Sequence, residues 1–130
     1  MSPVRERVVE LPATAAAARM ARRELTATPG IAGELGYKAL LMASELISVY
    51  VQDVEPGGGA TVWLSIVVSS QRVRIEVAGR TPPAPTDVLL NSRDTPSLGG
   101  MGLQIVDRMA DAWGVEEADD SAIWFELART

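Results

Sequence analysis

Between positions 61 and 77 the chain carries two strand-forming runs in close succession, the second with a strict period of two. Thr61-Val62-Trp63-Leu64-Ser65-Ile66-Val67-Val68 is a β-branched and apolar run, and Arg72-Val73-Arg74-Ile75-Glu76-Val77 alternates charged and apolar residues without a break. Such residues suit a pleated, half-buried surface, so both runs are predicted to be strands. Only Ser69-Ser70-Gln71 lies between them, and so short a connection makes a hairpin. An alternating strand has one apolar face, and that face must be covered by another layer.

The remaining chain supplies the cover. Residues 4–11 read as a further strand, an edge strand in view of Arg5, Glu6 and Arg7, stopped by Pro12. Residues 13 to about 26 are alanine-rich, with Ala17, Met20, Ala21 and Leu25 on one face and Arg19, Arg22 and Arg23 mostly opposite; they predict an amphipathic helix whose arginines form a solvated face. Thr28-Pro29-Gly30 breaks it. A longer helix is predicted over about 32–53, with Leu35, Ala39, Met42, Leu46 and Val49 as its stripe, ended by Pro56-Gly57-Gly58-Gly59. Residues 79–98 carry four prolines and no period; an unstructured stretch of this length inside a domain is usually functional, often a lid. A third helix should run from Gly102 to about Trp113, and 114–116 with 122–127 read as a closing pair of strands. Trp63, Trp113 and Trp124 are expected to anchor the core. The predicted class is α+β, a two-layer α/β sandwich formed by a single domain over 1–130.

Composition removes whole classes of chemistry. There is no histidine and no cysteine, hence no histidine base, histidine phosphoacceptor, disulfide or cysteine–histidine zinc site within this chain. Twelve basic against 17 acidic residues, net charge -5, argue against nucleic acid as the partner, because phosphate neutralisation needs a basic surface. No apolar run reaches the length of a membrane span and no signal-peptide core is visible, so a cytoplasmic location away from the membrane is expected.

One stretch does suggest ligand chemistry. In Leu98-Gly99-Gly100-Met101-Gly102-Leu103 three glycines precede the predicted third helix. Helix-start N–H groups lack intrahelical partners, the dipole favours negative charge, and glycine lets a phosphate approach the backbone. The same glycines would equally serve to start a helix close against a sheet.

In sequence order, Ser44-Glu45-Leu46-Ile47-Ser48, the proline-rich stretch, Gly100-Met101-Gly102-Leu103 and Trp124-Phe125-Glu126-Leu127 resemble the GHKL, or Bergerat-fold, ATPase superfamily. Within it the chain is most similar to the short bacterial anti-sigma-factor serine kinases and their stand-alone regulatory relatives, over nearly its whole length. The resemblance implies a Bergerat-type sandwich that binds ATP between helices and sheet, beneath a lid. It places Glu45 at the catalytic glutamate, which assists proton transfer, and Gly99, Gly100, Met101, Gly102 and Leu103 in the phosphate loop. At three other positions the family's residues are missing. Val49 stands one turn after Glu45, where the family has a magnesium-binding asparagine. Gly79 stands for its adenine-binding aspartate, and Ala122 for the threonine that supports that contact. A valine gives no oxygen to a cation that requires oxygen ligands.

Three functions are open to such a chain. The first is a regulatory protein with a degenerate ATP site, which needs no cofactor and acts by binding a partner, either a STAS-type anti-sigma antagonist or a sigma factor. The second is an active serine kinase that uses Glu45, ATP and altered magnesium coordination, with Gln52 or Asp53 supplying oxygens. The third is a binding domain for a less polar ligand in the vacated cleft. The first is preferred, because phosphoryl transfer depends almost wholly on positioned metal and charge. The resemblance also implies a homodimer.

Overall fold

The computed structural model describes residues 4–51, 60–79, 102–116 and 121–129. Along the chain these form β1 (Arg5–Pro12), α1 (Ala17–Thr26), α2 (Gly33–Val51), β2 (Thr61–Val68), β3 (Arg72–Gly79), α3 (Gly102–Met109), β4 (Ala112–Glu116) and β5 (Ser121–Ala128). The five strands make one antiparallel sheet in the order β1-β2-β3-β5-β4. The class is α+β. β1 is an edge strand, and the β2–β3 pair is the hairpin that the alternation predicts.

Burial alternates along the sheet as a pleated strand requires. Val62, Leu64 and Ile66 of β2, Val73, Ile75 and Val77 of β3, and Ile123 and Phe125 of β5 lie on one buried face. Each such side chain contributes roughly 1.5–3 kcal/mol on burial, so this face supplies one wall of the core, and the helices supply the other. The predicted stripe on α2 is packed there too: Ala39, Met42, Leu46 and Val49 are buried and Leu35 is packed at the margin. Every residue of 42–47 is buried, because α2 is covered by α1, by the sheet and by α3.

Three expectations need correction. The first helix starts at Ala17 and not at 13. The Ala13 N–H is spent on the Ala60 carbonyl at 2.9 Å, extending the β1–β2 pairing, and the Thr14 hydroxyl accepts from the Ala16 N–H. The third helix stops at Met109, four residues before Trp113. Asp111 pulls the chain across to β5: its N–H donates to the Glu126 carbonyl, and its Oδ2 accepts from the Ala128 N–H at 2.6 Å. Trp113 is therefore a residue of β4, opposite Phe125, and its indole N–H donates to Asp107.

The tryptophans are only half-buried. Trp63 pairs with Ala78 and Trp124 with Glu76, in the alternate set of each strand, so both lie on the sheet face away from the helices. Valine, isoleucine, leucine and phenylalanine take the inner set. Among the described residues, no helix is long and apolar enough to cross a membrane.

Candidate functional site

α2 brings Glu45, Val49 and Tyr50 together near its C-terminal end. Glu45 and Val49 are one turn apart and share a flank. Ser44 lies on the α1 side, where its hydroxyl accepts from the Arg22 guanidinium at 3.2 Å and donates to the Leu40 carbonyl. Glu45 is 4% exposed, an unusual position for a carboxylate. Its Oε2 is buried with no hydrogen-bond donor against it, although the residue takes part in another polar interaction. Val49 is equally buried and presents only hydrocarbon.

Gly79 is the last residue of β3 and is buried. A Cβ built on it would lie 2.6 Å from Cδ1 of Tyr50, 3.2 Å from Cε1 and 3.4 Å from Cγ. Carbon atoms at rest stand about 3.5–4.0 Å apart, so the tyrosine ring fills the space a side chain at position 79 would need. Tyr50 is itself 4% exposed and cannot swing aside without leaving the core. This residue was missed as a site residue; sequence reading assigns it to the core or rim of α2. A bulky aromatic one position after Val49 is a signal only once α2 and the end of β3 are known to meet.

The register also separates two of the expected positions. Gly79 pairs with Ser121, whereas Ala122 pairs with Ala78. Alternation puts Ala122 on the opposite face of the sheet from Gly79, so a threonine at 122 could not orient a carboxylate at 79. Of the expected phosphate loop, Gly102 opens α3 and Leu103 is fully buried beside Val106. Leu103 thus anchors α3 to the core. Gly99, Gly100 and Met101, the proline-rich residues 80–98, and Gln52 and Asp53 lie outside the described residues.

On the far face of the sheet, Arg74 stacks over the Trp124 ring at 4.2 Å from its centre and pairs with Glu76 and Glu116 at 3.8 and 3.7 Å. Burial, followed by the negative charge of Glu116, pushes the Glu76 carboxyl up, and Arg74 pulls the other way. This network lies across the sheet from Glu45 and cannot join it.

Among the described residues no group of three acidic, histidine or cysteine side chains could hold a metal ion. The residues at the expected positions do not fit a magnesium–nucleotide group: hydrocarbon at 49, a tyrosine ring against 79, and a methyl on the wrong face at 122. No protein-family model matches the chain, and no curated protein matches it significantly.

Proposed function

We propose that this chain is a regulatory scaffold of the anti-sigma-factor serine-kinase type, built on a Bergerat-type sandwich, whose nucleotide site has been given up and which acts by binding a partner protein. The resemblance in sequence is what supports this choice of family and partner class. The observation that carries the loss of the site is the packing of Tyr50 on Gly79, 2.6 Å from where a Cβ would stand. A lost aspartate could be drift at one position. A ring packed into the space that an aspartate at 79 would need supports the reading that the surroundings were rebuilt around its absence.

The active-kinase reading gives Glu45 a proton to move in the presence of a bound nucleotide. It has less support, because the residue one turn after the buried Glu45 is Val49, which offers magnesium no oxygen. The reading as a binder of less polar ligands meets the same ring at the Gly79 end of the cleft. The partner is a STAS-type antagonist or a sigma factor, which purified candidates can test. Under this reading the complex forms equally well with and without ATP–magnesium, and no phosphate passes to the partner. Transfer of labelled phosphate from ATP to a partner serine would overturn it.

A further inference from the structure

The opposite end of the sheet carries a pocket of about 380 Å³. It lies seven residues along β3 from Gly79, about 24 Å at ~3.4 Å per residue. Its walls come from four places: Arg5 at the start of β1, Gly30 between α1 and α2, Ser69 and Ser70 in the β2–β3 turn, and Arg129 after β5. The size falls in the range of small-molecule sites, roughly 300–1,000 Å³. Among the described residues no carboxylate lines it, although the whole chain is acidic, with net charge -5.

One of the two arginines is held in place. The Arg129 N–H donates to the Gln71 carbonyl at 2.8 Å, and its guanidinium Nη1 donates to the Ser69 carbonyl at 2.6 Å. The guanidinium lies against Gly30, where an added Cβ would be 3.5 Å from its Cζ and Nη2 and 2.9 Å from Val68 Cγ1. Gly30 also has φ +96°, a conformation that side chains resist. Arg5 is exposed and lies across the β1–β2 ladder from Val68. Neither arginine is in an ion pair among the described residues. The Ser69 hydroxyl is committed to the turn, accepting from and donating to the Arg72 backbone, whereas no such bond involves the Ser70 hydroxyl.

We propose that this pocket is an oxyanion site for a phosphate group, carried by a small phosphomonoester or by inorganic phosphate itself. Arg129 is the fixed fork, Arg5 closes from the edge strand, and the Ser70 hydroxyl is the neutral donor. Two guanidinium groups match the two charges of a phosphomonoester, and charge-assisted bonds from arginine forks are the strong ones. The site is independent of the nucleotide cleft.

The test is an NMR titration of the whole chain with inorganic phosphate, with O-phosphoserine, and with serine as control. The amides of Gly30, Ser69 and Ser70 should shift saturably with both phosphates and stay still with serine. Tighter binding of O-phosphoserine assigns the remaining volume to an organic body, and equal binding assigns the site to phosphate alone; either supports the proposal. Arg5→Gln, which breaks no bond in the structure, should weaken binding roughly tenfold, as should Arg129→Gln. Arg19→Gln, an exposed arginine on α1, should leave binding unchanged. No saturable shift, or equal binding by wild type and Arg5→Gln, would overturn the proposal.

Discussion

Tyr50 and Gly79 are packed so closely that neither position can be changed without regard to the other: Cδ1 of the ring lies 2.6 Å from the site of a Cβ on the glycine. Through this contact the end of α2 closes on the end of β3. It also makes the absence of a side chain at 79 a property of the packing and not of one position alone.

Gly79→Ala should therefore destabilise by about 1–3 kcal/mol, the range for overpacking a filled site. With Tyr50→Leu already in place the same change should cost less, and the two should couple by about 0.5–3 kcal/mol. Urea denaturation of the two single variants and the double variant measures this. Strict additivity would mean that the ring is not what excludes the methyl group.

The same contact governs any attempt to build the nucleotide site that the resemblance implies. Val49→Asn, Gly79→Asp and Ala122→Thr together should give no ATP-dependent stabilisation while Tyr50 remains. Adding Tyr50→Ala should be the step that lets nucleotide raise the melting temperature. Reverting position 122 in that variant should change nothing, because Ala122 pairs with Ala78 on the other face. Nucleotide binding by the triple variant with Tyr50 intact would remove the ring from its assigned role.

Much of this architecture was legible in the sequence, and the reason is periodicity. The β-branched run of 61–68 and the alternation of 72–77 carried the hairpin, and the stripe from Ala39 to Val49 carried α2, although α1, the sheet and α3 together bury every residue of 42–47. What could not be read depended on partners distant in sequence. The stop of α3 rests on Asp111 meeting Ala128 and Glu126. Trp63 and Trp124 were misplaced because size suggests a core, whereas strand parity puts both on the outer face; Trp113 does pack against the core. Within the candidate site, Glu45 and Val49 were visible as neighbours at helical spacing. Tyr50 against Gly79, and the wrong face of Ala122, followed only from the packing of α2 and the register of β5.

Asp111 offers a check on the end of α3. Asp111→Ala removes the 2.6 Å acceptor of the Ala128 N–H and should cost about 1 kcal/mol. Hydrogen exchange at Ala128 should speed up while that of the α2 interior is unaffected. Unchanged exchange at Ala128 would show that β5 holds its end without this bond.

Glu76 gives stability a dependence on pH. Its carboxyl is pushed above the ordinary value of 4.5 in the folded state, by burial first and then by Glu116, against the pull of Arg74. A group raised on folding contributes stability below its unfolded value and loses it as pH rises through the folded one. At neutral pH the ionised Glu76 is therefore a small liability, small because water reaches it. Glu76→Gln should raise the urea midpoint slightly at pH 7, and that gain should vanish below about pH 4.5. A gain that persists or grows in acid would contradict the assigned cause.

The central claim is that this scaffold has no working nucleotide site, and calorimetric titration of the whole chain with ATP and magnesium tests it most directly. A ligand at one hundred times its dissociation constant stabilises a fold by about 2.7 kcal/mol, so melting temperature gives a second reading of the same experiment. The account predicts no binding isotherm and no rise in melting temperature at millimolar ATP–magnesium. A micromolar dissociation constant, with a matching rise in melting temperature, would contradict it.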